Sequence, residues 1–203
     1  MLSSSAVLLA RVHRAAGCCC RWRARARARR AFAASATARG PITAVRPVPL
    51  KLIAVSKGNV PAFDSAAAEY TDRLRRYTQW EEIVVKPNPK GVADADTQMA
   101  TEAERVIKHV GPRDRVVLLD ERGKDYTSEQ LAQLLAEAGE DNVPALVFAI
   151  GGPYGHGPAM RQRADVVMRL SAMVMNHQVA RVVLCEQLYR AWTILKGEPY
   201  HHG

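Results

Sequence analysis

Residues 148–157 of the 203-residue chain read "FAIGGPYGHG", with four glycines and a proline in positions 151–157. Glycine supplies positive φ and leaves the backbone uncovered, so such a loop lets a ligand lie against main-chain amides and carbonyls. Two nucleotide-binding patterns fail on spacing. Gly151, Gly152, Gly155 and Gly157 do not spell GxxxxGK[ST], because no lysine and hydroxyl follow where a phosphate cradle needs them. Nor do they spell GxGxxG, and no acidic ribose partner stands about twenty residues further on. Taken alone, the seven residues read first as a tight structural turn. Cysteine adds no chemistry. Beyond Cys18, Cys19 and Cys20 only Cys185 remains, too few for an intramolecular disulfide or a cysteine zinc site. It sits in an apolar helical pattern and is read as core.

The elements around the loop alternate. Short apolar runs at 50–56, 81–87, 114–120, 144–150 and 165–171 read as buried strands. Helical spacing appears at 60–77, 97–110, 128–138 and 177–195. Thr127 or Ser128 can cap the third of these helices, and Gly197 with Pro199 ends the last. Apolar strands separated by helices predict an α/β domain, mostly a parallel sheet with helices on both faces. Ligands gather at the carboxyl ends of such strands. Leu119–Asp120, Gly151–Gly152 and Ser171–Ala172 all stand at strand ends, so three loops point at one site.

The charge divides the chain. The formal net charge is +9, yet ten of the 29 basic residues lie in 1–50, where there is no acid. That leaves 19 basic against 20 acidic residues in 51–203, a net of −1. An Ala, Ser and Arg-rich, acid-free stretch at 1–40 has the composition of an organelle transit peptide, and 41–49 reads as an extended linker to a domain at 50–203. The run "RWRARARARR" would also serve as a phosphate-binding arm. "AVLLA" is far too short to span a bilayer, so no membrane association is expected. "RAFA" at 30–33 resembles an arginine-anchored mitochondrial cleavage pattern, which places the mitochondrion ahead of the chloroplast.

"LDERGKDYTS", "FAIGGPYGHG", "LSAMVMNHQVARVVLCEQLYRAW" and "PYHH" occur in this order across the domain. Together they resemble the RlmH family, large-subunit ribosomal RNA methyltransferases of the SPOUT superfamily. The resemblance implies a single SPOUT-type domain with a C-terminal trefoil knot, a homodimer, and S-adenosyl-L-methionine as cofactor. It also implies a substrate: N3 of a pseudouridine in large-subunit rRNA of the assembled ribosome. No metal is implied. The glycine loop then becomes a cofactor loop.

Carried onto this chain, the resemblance assigns cofactor contacts to Leu119, Gly151, Leu170, Ser171, Ala172, Met173, Val174 and Met175. The family often has threonine where Val174 stands, which removes a hydroxyl but leaves backbone contacts. An imide N3–H must lose its proton before attack, and His177 and His201 are the candidate bases. Arg181, four residues after His177 on the same helical face, is expected to reach a phosphate or the uracil carbonyls. Tyr200 accompanies His201 in a C-terminal tail able to reach a site built from two subunits. Read from the residues alone, His177 is a helix cap and "HH" a solvated tail. Two other functions fit the same residues: a SPOUT enzyme for another RNA such as transfer RNA, or a ribosome-assembly factor that kept the fold without the chemistry.

Overall fold

The computed structural model describes residues 45–58, 60–88 and 94–200. The expected transit peptide, the first part of the linker and His201 lie outside the described residues. Five strands, β1 (Leu50–Val55), β2 (Trp80–Val85), β3 (Arg115–Asp125), β4 (Leu146–Ile150) and β5 (Val166–Arg169), form one sheet in the order β2-β1-β4-β3-β5. Every pairing is parallel. Five helices connect them: α1 (Pro61–Leu74), α2 (Ala95–Ile107), α3 (Ser128–Glu140), α4 (Pro158–Arg163) and α5 (His177–Lys196).

Successive side chains leave a strand on opposite faces, so a strand buried on both sides feeds two apolar layers. Leu50, Leu52 and Ala54 of β1, with Leu146, Phe148 and Ile150 of β4, join Leu74, Leu134, Leu184 and Trp192 from α1, α3 and α5. Ile53, Val55, Val147 and Ala149 point the other way, to Ala103 and Val106 of α2 and Met160 of α4. Helices therefore cover both faces, as the alternating pattern predicts. Trp192 stacks on Tyr77 with ring centroids 5.8 Å apart and planes 3° from parallel. Cys185 is fully buried in α5, and burial pushes its thiol up to about 12, so it is core and not a nucleophile.

Local chemistry sets the helix ends. Pro61 opens α1, where its fixed φ suits a first turn and its missing N–H costs nothing. Thr127 caps α3 in a reciprocal box with Gln130, settling the choice between Thr127 and Ser128. Asn176 caps α5 by accepting a hydrogen bond from Gln178 N at 2.9 Å, so His177 is the first helical residue and not the cap. Gly197, at φ +65°, closes the far end.

Two features depart from the local pattern. β3 does not stop at Asp120. It bulges, then pairs with β5 again, Lys124 and Asp125 opposite Met168 and Arg169. Gly123 permits the return: a Cβ there would lie 2.4 Å from the carbonyl carbon of Met168. Arg169 closes the junction with two hydrogen bonds to the Asp125 carboxylate, at 2.5 and 2.6 Å. The second is α4, six residues long and too short to show a helical period.

Candidate functional site

The carboxyl ends of β3, β4 and β5 enclose a cleft of about 830 Å³. Residues 119–122 line it from β3, 150–156 from β4, and 169–171 with 173–177 from β5 and the loop that follows. Leu119, Gly151, Leu170, Ser171, Met173, Val174, Met175 and His177 thus meet in one cavity, as three strand ends in one parallel sheet require. Ala172 belongs to the third loop but does not line the cleft.

The glycine loop is tight and open at once. Gly155 N donates to Gly152 O at 2.9 Å, and Gly155 takes φ +82°, a conformation that glycine alone adopts without strain. Gly151 serves differently. A Cβ on it would lie 2.9 Å from both the carbonyl carbon and oxygen of Gly155, so its bare backbone is what lets the loop fold back. Gly152 presses on a buried carboxylate, its would-be Cβ 2.5 Å from Glu102 Oε2.

A polar brace joins the first two loops. His156 is 6% exposed, and its Nε2 lies 3.0 Å from Leu119 O. A carbonyl only accepts, so Nε2–H is the donor. Arg161 reaches Asp120 at 2.6 Å and donates from Nε to His156 O at 3.1 Å. Asp120 in turn accepts from Arg122 N at 2.9 Å. The carbonyl of Leu119 is thereby held at the cleft wall. No motif in the sequence assigns His156 or Arg161 a role. The single available signal was a histidine and an arginine flanking a Gly-Pro helix start.

The brace carries a pH dependence. Burial holds His156 below the ordinary histidine value of 6.5, against its hydrogen bond to Leu119. A depressed folded pKa makes the unfolded chain bind the proton first, so stability is complete above pH 6.5 and falls as pH drops below it through the folded value. The thermal midpoint is expected to decline between pH 7 and 5, and His156→Gln, which keeps a donor but cannot titrate, to flatten that slope. Equal slopes in the two proteins would exclude His156 as its source.

Arg181 and Tyr200 lie outside the cleft. Arg181 does not line the cleft: it is 8% exposed, with Nη1 2.6 Å from Asp64 Oδ1 and Nε 2.6 Å from Glu82 Oε1. Its guanidinium therefore serves α1 and β2, where a phosphate or uracil contact was expected. Tyr200 packs against α5. Its hydroxyl donates to Glu186 Oε1 at 3.2 Å and the Arg190 guanidinium sits 4.8 Å above its ring. The carboxylate of Glu186 is also the i, i+4 partner of Arg190, at 2.6 Å, a spacing that favours such a pair on a helix. His177 touches Ser56 Oγ of the β1 end through Nε2 at 3.1 Å, a contact no local pattern announces.

A sequence profile described as "Predicted SPOUT methyltransferase" matches residues 48–201. A protein of Arabidopsis thaliana that carries a provisional RNA-methyltransferase name is 47% identical over 159 residues, 78% of this chain and 82% of its own. Ribosomal RNA large subunit methyltransferase H of Geobacter metallireducens is 46% identical over 154 residues, 76% of this chain and 99% of the bacterial one. Among solved structures, the SpoU methyltransferase AviRb of Streptomyces viridochromogenes in complex with AdoMet is 13% identical. Its TM-score is 0.37 over 74% of this chain and 60% of its own, a likeness too remote to bear on function.

Proposed function

The chain belongs to the SPOUT methyltransferase family, in its RlmH branch, and we propose that it methylates N3 of a pseudouridine in large-subunit ribosomal RNA of an organelle ribosome. The observation that carries this reading is the one cleft shared by Leu119, Gly151, Leu170, Ser171 and residues 173–175, from the three loops of one sheet. S-adenosyl-L-methionine, when bound there, supplies an electrophilic methyl group. The cleft fits it: Leu119, Ile150, Leu170, Met173 and Met175 offer apolar walls for a flat base, and the bare backbone at Gly151 offers close approach. The Leu119 carbonyl, held by His156, is oriented toward the same wall.

His177, at the cleft edge, takes the N3 proton as the methyl group passes to that nitrogen. Arg122, with a side chain 79% exposed beside the cleft, and Lys124 face the RNA phosphates. The domain at 51–203 is close to neutral, which suits an enzyme that reads an assembled ribosome and not a free duplex.

The enzyme acts as a homodimer. Met173 and Val174 are 75% and 80% exposed at the cleft rim and Tyr154 57%, an apolar edge that a second copy would cover. Tyr200 and His201 complete the partner's site from the C-terminal tail, which follows a trefoil knot formed by the last loops. Residues 1–40 direct the chain to the mitochondrion ahead of the chloroplast.

Calorimetric titration of S-adenosyl-L-methionine into the full chain tests the reading, followed by methyl transfer to organelle ribosomes with the modified nucleoside identified by mass spectrometry. Saturable binding and a methylated pseudouridine are the expected results. A folded chain that neither binds the cofactor nor modifies ribosomes overturns it. Binding without transfer would instead favour an assembly factor.

A further inference from the structure

Three strand ends line the cleft, and a fourth reaches it indirectly. Ser56 follows β1 and is fixed there by its own N–H, which donates to Val85 O at 3.0 Å. The residue is 4% exposed, and its hydroxyl oxygen stands between two partners. Gly58 O is 2.9 Å away and His177 Nε2 is 3.1 Å away. Gly58 N also donates to the same oxygen, at 3.3 Å. The turn that folds Gly58 back onto Ser56 needs φ +143°, which keeps this position for glycine.

We infer that Ser56 is a positioning residue that holds His177 as the Nε2–H tautomer, leaving Nδ1 as the nitrogen with a free lone pair. A serine hydroxyl has one proton and two lone pairs. The carbonyl of Gly58 can only accept, and it is the nearer partner, so the proton goes to Gly58 O. Toward the imidazole the hydroxyl then presents a lone pair. Nε2 must donate, and a neutral imidazole with Nε2–H carries its basic lone pair on Nδ1. The fixed tautomer is what a proton acceptor in the cleft requires: were Nε2 the acceptor, its lone pair would already be spent on Ser56.

The anchorage is double. Gln178, the neighbour of His177 in the first turn of α5, donates from Nε2 to the same Gly58 O at 3.0 Å and is 5% exposed. The side chains of Ser56 and Gln178 thus converge on one carbonyl, and the start of α5 is tied to the end of β1. Ring orientation comes from the helix start and tautomer from the serine. The inference rests on the proposed reading of His177 as base, but its direct test does not.

Long-range proton–nitrogen correlation spectra of the histidine-labelled full chain distinguish the two neutral tautomers, with His177 assigned by its loss in His177→Gln. The wild type is expected to show the Nε2–H pattern for His177. Ser56→Ala should let the Nδ1–H form appear, and Ser56→Thr, which keeps the hydroxyl, should restore the original pattern. In methyl transfer, Ser56→Ala should lower kcat by about tenfold or more with the KM for S-adenosyl-L-methionine unchanged. A wild-type His177 in the Nδ1–H form overturns the inference, whether or not the variants fold. So does a Ser56→Ala spectrum identical to that of the wild type. Cofactor titration on the same samples separates the two levels: a chain that binds no cofactor yet shows the Nε2–H pattern refutes the enzyme reading and leaves the Ser56 contact standing.

Discussion

Gly151→Trp is expected to weaken S-adenosyl-L-methionine binding by at least about 100-fold, equivalent to about 2.7 kcal/mol, while the chain stays folded. The geometry leaves little room for a smaller effect. A Cβ at position 151 already meets the Gly155 carbonyl at 2.9 Å, and the contacted atoms are backbone, which cannot rotate aside. The glycine loop must open or the indole must enter the cleft that Gly151 lines. Either outcome removes the surface on which the cofactor would lie. The strand before it is insulated from the change, because Leu146 to Ile150 are held in the sheet by β1 and β3 on either side. Gly151→Ala should fall between the two proteins, since a methyl group forces a shift of the loop without filling the cavity. Titration calorimetry gives the affinities, and circular dichroism melting shows that the fold persists. A Gly151→Trp protein with wild-type affinity would move the cofactor out of this cleft altogether.

The sheet was legible because strands of a parallel sheet need apolar runs, and each of the five carries one, long in β3 and β4 and shorter in the edge strands β2 and β5. "LKLIAV" and "LVFAI" differ from the surrounding helices in period as well as composition, and the two hydrophobic layers follow from alternation alone. The convergence of Leu119, Gly151 and the loop after β5 was legible for a topological reason: parallel strands bring all their carboxyl ends to one edge. What escaped was every link made across the fold. Ser56 and His177 are 121 residues apart, His156 and Leu119 are 37 apart, and neither pair has a spacing rule. The return of β3 to β5 beyond the bulge was invisible for the same reason. "ERGKDYTS" reads as a loop because its strand character comes only from the pairing that Gly123 allows. Arg181 shows the converse case. Its i, i+4 relation to His177 suggested a shared function, but a helix face one turn long can meet the cleft at one residue and a pair of carboxylates at the next.

That displacement gives the second large effect. Arg181→Met is expected to cost about 3 kcal/mol of stability, because removing one partner of a buried ion pair strands the other. Two acids are left. The side chain of Glu82 on β2 is 17% exposed and that of Asp64 on α1 is 40% exposed, so most of the penalty comes from Glu82 and water can reach Asp64. For a chain of this size about 3 kcal/mol corresponds to a fall in Tm of roughly 6–12 °C. Methionine is the informative replacement, since it keeps the length and apolar stem of the side chain while deleting its charge. Adding Glu82→Gln should recover part of the loss, because the buried carboxylate that Arg181 neutralises is then gone, and the non-additivity of the two changes measures the pair directly. Cofactor affinity should change little, as Arg181 does not line the cleft. A substrate-contacting arginine would behave in the opposite way, with the melting temperature preserved and turnover lost. An Arg181→Met protein that melts like the wild type but transfers no methyl group would return this residue to the substrate and assign the Asp64 and Glu82 contacts the lesser task of aiming it.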